Sequence, residues 1–414
     1  MVNRLNWWQL SSIQIGAAVC LPTLMVSQEI CKAYGFTSAI AAIIIGNAIL
    51  LFLGLISAKM SCEKQKTTVE NALEYFGEKG TTLFAAMMGI TLLSWFGLQL
   101  NLMSLSVLDL FSIEASRDTW LIILNAALGL IITLVALYGM RALNLLADLS
   151  LPLLIGTLAY ALFTAEQKPF EESEFSLGGI SLVIAIYIAG VINLPTYFRH
   201  ARSLKDGILS AVIIFGVALP VLEIVGIYLT LGHAQGTILD VLKRHDSTLW
   251  NLWIALFLIL AGWTTNNLNL YSIVDCFNQL IKNQTAKGRT LLGGGLGTFL
   301  ACFNPLNHLE IVLSMIGILV ISMGGVILAR YSLALFNGLA VTKQDERWHL
   351  AALLLGIGMG FYGILGYSLT SIPVLDAALG AGLGTCLILT KGKVVALVSI
   401  FKKRNRINRE PLKV

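Results

Sequence analysis

The stretch GWTTNNLNLY, residues 262–271, sets two threonines and three asparagines at the end of NLWIALFLILA, a run apolar enough to dissolve in lipid. On a helix Thr264 and Asn267 are three residues apart and share a face, Thr265 and Asn269 are four apart on the next, and Asn266 lies between. Neutral hydroxyls coordinate a hard cation such as sodium through oxygen without placing a counter-charge in the bilayer, which suits Thr264 and Thr265. An asparagine amide offers both an acceptor and a donor, the pattern needed to read the edge of a heterocycle, which suits Asn266 and Asn267. The competing reading is interhelical glue, worth about 0.6 kcal/mol per contact. Five polar residues in six positions, 264–269, favour a cavity.

A second constellation lies in LLSWFGLQLNLMSL, where Trp95 and Gln99 are four apart and project an indole plane and an amide to one side. A flat ring stacked on Trp95 and bonded at its edge by Gln99 would gain about 1–3 kcal/mol from stacking. Tyr187, in AIYIAG, is placed to close the other side of an aromatic sandwich.

The elements that must carry these groups show paired interruptions. IGAAVCLP sets Gly16 six residues before Pro22, and AGVINLP sets Gly190 five residues before Pro195. Both residue types weaken helix interiors, and their recurrence at corresponding positions of two five-span halves predicts inverted repeats with broken helices. Broken helices bare backbone carbonyls at membrane depth, where a cavity or bound ligand must satisfy them.

Composition agrees with a lipid solvent: 57% hydrophobic, 12% charged and a mean hydropathy of +0.80. Twelve spans are predicted, near 9–30, 36–58, 82–111, 119–139, 145–164, 176–198, 208–231, 248–271, 290–303, 308–331, 349–368 and 372–390, the ninth being the weakest. The first is read as a span and not a cleavable leader, because polar residues and Pro22 interrupt it. The domains expected are a first repeat (1–170), a second (171–335), spans eleven and twelve (336–395) and a basic tail (396–414). With both termini cytoplasmic, 23 of the 28 Lys and Arg fall on one side, and the outer loops keep Lys32, Arg117, Lys168, Lys243 and Arg244.

That partition accounts for the net charge of +5 by topology, so no nucleic-acid partner is expected and the tail faces anionic headgroups. The six cysteines show no metal or disulfide spacing, the five histidines no paired-ligand spacing, and no phosphate-binding loop is present. Of the acidic residues in or near the spans (Asp109, Asp148, Glu223, Asp275), Glu223 is the most interior and the first suspect should protons replace sodium.

SWFGLQL, AIIIGNAILLFLGLISAKM, IYIAGVINLPTYFRHARS, WTTNN and MGGVILARY resemble segments of the nucleobase:cation symporter family, of the cytosine permease and hydantoin transporter type, in order and spacing over most of the chain. The resemblance implies an all-α integral membrane fold of twelve helices, a five-plus-five inverted repeat of the leucine-transporter fold plus two C-terminal helices. By position, Trp95 and Tyr187 match the ring-sandwiching aromatics and Gln99 an edge-binding glutamine, while Ala189, Gly190, Asn266 and Asn267 fall in substrate-binding stretches. Thr264 and Thr265 match hydroxyl ligands of a sodium site, Ala261 a carbonyl ligand, and Gly16 and Cys20 the neighbourhood of the first span's carbonyls. Leu92, Ala189 and Asn267 depart from cytosine permease, where a glutamine, a serine and an aspartate stand, and a site that cannot bond a ring edge does not select it strongly.

The expected activity is import, by alternating access, of a nucleobase or related small heteroaromatic ring, cytosine or another pyrimidine favoured. Sodium is the coupling ion, with no other cofactor. Proton-coupled import of a thiamine-precursor pyrimidine, a purine or a hydantoin is the alternative, and a non-transporting membrane sensor the reading from another class. A channel would want a continuous polar pore, and an enzyme an acid/base pair at depth. The expected location is the plasma or bacterial inner membrane, as a monomer in the lipid bilayer.

Overall fold

The computed structural model describes residues 4–164, 175–230, 242–243, 247–305, 309–337 and 346–385. Most of the acidic 165–175 loop and the whole basic tail lie outside the described residues. Among those described, every regular element is a helix, and strand-like pairing is confined to one bridge, Leu5 with Ala201.

The first predicted span is two helices, α1 (Trp7–Ala18) and α2 (Leu21–Tyr34), bent by 60°. Asn6 and Gln9 form a reciprocal capping box at the start of α1. Pro22 sits in the first turn of α2, where its missing N–H costs nothing, so the helix restarts there. α3 (Phe36–Lys64) follows, then α4 (Thr68–Leu110), which starts well before the predicted 82 because Thr67 and Glu70 form a second capping box. α4 is kinked at Gly77 (φ +64), where a Cβ would also run into the carboxylate of Glu346. Much of the predicted Lys59–Lys79 loop is therefore helical.

α5 (Arg117–Ala136) and α6 (Met140–Thr164) complete the first half. The sixth span is α7 (Ile180–Ile192) and the one-turn α8 (Leu194–Phe198), separated at Asn193 just before Pro195. The seventh is α9 (Leu204–Ile213) and α10 (Leu219–Thr230), joined through a π-helical turn at Ile214–Ala218 that absorbs Pro220. α11 (Thr248–Leu280) carries the threonine–asparagine stretch. α12 (Ala286–Ala301), α13 (Leu309–Asn337), α14 (Glu346–Tyr362) and helical residues 373–385 follow.

Among the described residues nine helices are long and apolar enough to cross a membrane, or ten with the bent α1–α2 pair counted as one. The predicted ninth span falls short because α12 has 16 residues, about 24 Å at 1.5 Å per residue against a hydrocarbon core of about 30 Å. α11 packs along α4, and α12 closes against both. α7 packs between α3 and α13, and α10 lies along α2. Many Leu, Ile and Phe side chains of α3, α5 and α6 are exposed, as lipid-facing surfaces require.

The N-terminal segment is tied to the segment after α8. Leu5 donates to the carbonyl of His200 (2.8 Å), Arg202 returns a bond to Leu5 (2.8 Å), and the Trp7 amide donates to Asp206 (3.0 Å). His200 accepts from Arg199 Nε at 3.2 Å. Burial, then the Arg199 and Arg4 charges, depress its imidazole to about 4.

Candidate functional site at the broken first span

The break between α1 and α2 leaves the carbonyls at the end of α1 without helical partners, and four side chains supply them. Thr264 Oγ1 lies 2.6 Å from the Gly16 carbonyl and 2.8 Å from that of Ala261. Thr265 Oγ1 lies 2.8 Å from the Ala17 carbonyl and 3.1 Å from that of Ala261. Thr23 Oγ1 and the Tyr187 hydroxyl both donate to the Ala18 carbonyl, at 2.8 and 3.0 Å. Gly16, Ala261, Thr264 and Thr265 are thus brought together, and Ala17 joins them. Cys20 sits one turn on, its Sγ 3.3 Å from Thr23 Oγ1.

Around Thr264 and Thr265 three carbonyls and two hydroxyl oxygens face one another. Each hydroxyl has one proton and two carbonyls in reach, so it cannot satisfy both at once.

Next to this cluster is a cavity of about 80 Å³, several times the ~10–15 Å³ one water needs. Trp95, Tyr187, Ala189, Gly190, Cys20 and Thr265 line it. So does Leu92. Trp95 is 6% exposed, leaving one part of the indole for the cavity.

Gln99, Asn266 and Asn267 lie off the cavity, in the α4–α11 packing. Gln99 approaches the bare Cα of Gly262, where a Cβ would stand 3.3 Å from its Nε2 and collide with Met103. Asn266 Nδ2 donates to the Phe96 carbonyl at 3.1 Å, while the Asn266 Oδ1 and both amide atoms of Asn267 are buried without a hydrogen-bond partner. The α11 face that looks into the cavity is Thr265, Leu268 and Asn269, spaced i, i+3, i+4; Asn266 and Asn267 point about 100° and 200° away from Thr265.

Three amides at this cavity had no role assigned from the sequence: Gln14, Asn193 and Asn269, the last placed there only as a neighbour of Thr265 on one helix face. Gln14 and Asn269 are over nine-tenths buried, and each has an amide nitrogen with no partner. The helical spacing from Thr265 to Asn269 was the available signal for one. Gln14 lies before the Gly16–Pro22 break and carried none.

The cavity is closed at the α7–α8 break. Asn193, at the α7–α8 break, donates to Ser272 at 2.6 Å and accepts from Thr196 (2.9 Å) and Thr68 (3.0 Å). Tyr197 donates to the Leu268 carbonyl at 2.7 Å and also meets Ser272. Below them Arg199 and Glu70 stand 3.9 Å apart.

No family model matches the chain. It is 26% identical over 361 residues to the cytosine permease of Escherichia coli strain K12, covering 83% of this chain and 81% of the relative, and equally to that of Escherichia coli O157:H7. Among solved structures it matches Mhp1, described as a nucleobase-cation-symport-1 family transporter in a closed conformation with bromovinylhydantoin bound, with a TM-score of 0.75 at 16% identity over 96% of this chain and 94% of Mhp1. Mhp1 in an inward-facing conformation gives 0.68 at 15% identity, covering 93% and 90%. An outward-open Na+-coupled sialic acid symporter gives 0.67 at 13% identity, covering 92% and 89%. The resemblance to nucleobase:cation symporters read from the sequence therefore stands on relatives that are permeases, not enzymes, and on a fold shared with solved transporters, and the long apolar helices mark the chain as a multi-pass membrane protein.

Proposed function

We propose that this chain imports a nucleobase or related small heteroaromatic ring, a pyrimidine such as cytosine favoured, by sodium symport with alternating access. The observation that carries the reading is the abutment of the ring-sized cavity and the five-oxygen cluster at one broken helix, with Thr265 belonging to both. In the cluster, sodium takes the lone pairs of Thr264, Thr265, Gly16, Ala17 and Ala261, and the two hydroxyl protons rotate away. The ring enters between Trp95 and Tyr187, and its edge meets the amides nearest the lumen. Because the same α1 carbonyls hold sodium and shape the cavity, each ligand favours the conformation that binds the other, which is the linkage symport needs.

The architecture that goes with this reading is twelve spans arranged as five-plus-five inverted repeats, 1–170 and 171–335, with spans eleven and twelve outside them. Both termini are cytoplasmic and the unit is a monomer. The α1–α2 bend and the Asn193 interruption occupy equivalent places in the two halves, which supports the repeat. A second reading, import of a hydantoin, a purine or a thiamine-precursor pyrimidine, is favoured by the apolar Leu92 and Ala189 at the cavity wall.

The test is thermal stability of purified protein against a panel of these rings, in sodium and in choline. One ring that stabilises more strongly in sodium supports the reading and names the substrate. Equal stabilisation in both salts removes sodium from it, and no stabilisation by any ring removes the substrate class.

A further inference from the structure

Outside the cavity, one ionisable side chain is buried in the apolar middle of the bundle. Glu223, on α10, is 2% exposed, and its Oε2 accepts from Asn47 Nδ2 of α3 at 2.5 Å. Among the described residues no Lys, Arg or His comes within ion-pair distance of it. A lone carboxylate at such depth is costly, whereas a neutral carboxylic acid is an ordinary hydrogen-bonding group.

Asn47 shows which form the surroundings are built for. Its Nδ2 is fully used, donating to Glu223 and to the Ile43 carbonyl at 2.9 Å, but its Oδ1 is buried with no donor. A carboxylate has no hydrogen to offer that oxygen; a carboxylic acid has one. With a proton on Glu223, the acid and the amide bond reciprocally and the orphaned Oδ1 is satisfied.

The charged groups of the neighbouring elements form no ion pair with it. From α2 come Cys20 at its cap, the paired Glu29 and Lys32 (3.8 Å), Cys31 and Tyr34. From α3 come Lys59, Cys62, Glu63 and Lys64, three or more turns beyond Asn47, and from α6 come Asp148 and Tyr160. α9 brings Lys205 and Asp206 at its far end, and α7 brings Tyr187, which lies within electrostatic reach of both Glu223 and Cys20. One turn from Glu223, the bare Cα of Gly226 lies against Leu24 and Ser27 of α2, so α10 rests directly on the outer half of the broken first span.

We propose that Glu223 and Asn47 form a proton-binding site in the bundle, occupied while α2 packs on α10 and emptied to water when that contact opens. The site adds a proton to the ligands of the transport cycle; only that role in the cycle rests on the function proposed above.

The experiment uses the full chain in lipid nanodiscs at fixed sodium. From about pH 7 to about pH 9, above the range in which His200 titrates, wild type is expected to lose thermal stability as pH rises, because the folded form holds a proton the unfolded form has released; Glu223→Gln is expected to lose that slope and to gain on wild type toward alkaline pH. A Glu223→Gln variant that loses stability most at alkaline pH would overturn the proposal, since a folded carboxylate would then be required. Should that variant not fold, Asn47→Leu carries the test: the wild-type slope moves to higher pH, because the lost amide served the charged form too, and an unmoved slope overturns the proposal. In the same samples, ring affinity should fall about fivefold or more on alkalinisation in wild type and stay flat in Glu223→Gln. If no ring binds, the function proposed above fails, while the stability slopes still decide the proton site.

Discussion

The hydroxyl of Tyr187 donates to the carbonyl of Ala18 at 3.0 Å and also contacts Thr23 Oγ1 at 2.5 Å, so the sixth span grips the first at its break. One side chain thereby links the wall of the ring cavity to the backbone whose carbonyls face Thr264 and Thr265. Tyr187→Phe keeps the aromatic wall and removes the grip. Its expected cost is about 1 kcal/mol of stability, with a loss of apparent sodium affinity larger than the loss of ring affinity, measured by titrating each ligand against melting temperature.

Thr264→Ala and Thr265→Ala each delete one of five facing oxygens and leave a carbonyl without its donor. Each is expected to raise the sodium concentration needed for half-maximal stabilisation by tenfold or more, about 1.4 kcal/mol, with Thr265→Ala also touching ring affinity because it lines the cavity. A sodium titration of both variants, with ring present and absent, checks the split.

Trp95→Ala should weaken ring binding by about 1–3 kcal/mol, roughly five- to 150-fold, with sodium binding in the absence of ring little changed. Trp95→Phe should recover much of the loss. Equilibrium binding of the ring identified by the stability screen provides the measurement.

The amides separate into two groups with opposite expectations. Gln14→Ala and Asn269→Ala, at the cavity, should change which ring is preferred at small cost in stability. Asn266→Ala breaks a buried bond to the Phe96 carbonyl and should cost about 1–3 kcal/mol while leaving the order of ring preference intact. Ranking the ring panel against each variant decides.

His200 supplies a pH dependence in the segment after α8. Its folded value of about 4 lies below the ordinary 6.5, so as pH falls the unfolded chain takes up the proton first. Stability should decline between about pH 6.5 and about pH 4 and level off below, and His200→Gln should flatten that decline. Melting curves across the acid range, compared with wild type, are the check.

Much of the fold was legible because lipid enforces long apolar helices, and a Gly–Pro pair in such a helix has few meanings other than a break. The polar stretch was also legible as a kind of site, since five hydroxyls and amides cannot be left facing lipid. Which of them faced the lumen was not, because consecutive residues on a helix point 100° apart and the choice depends on how α4 meets α11. Gly262 settles it: its missing Cβ draws Gln99 and Met103 of α4 against that face and turns Thr265 and Asn269 toward α1. The start of α4 at Thr67 was hidden by a charged segment that reads as a loop until its capping box is noticed.

The bridge between Leu5 and Ala201 couples α1 and α8, one half of each interrupted span, as a single lever. Any swing that parts α1 from α8 must first tear the backbone bonds from Leu5 to His200 and Arg202. The cheaper travel carries both together, away from α11 and α4, with Asn193 and Tyr197 letting go of Ser272. A pair of spin labels at Asn6 and Ser203 should therefore keep one separation throughout the transport cycle, while a pair at Ser203 and Asn278 should not.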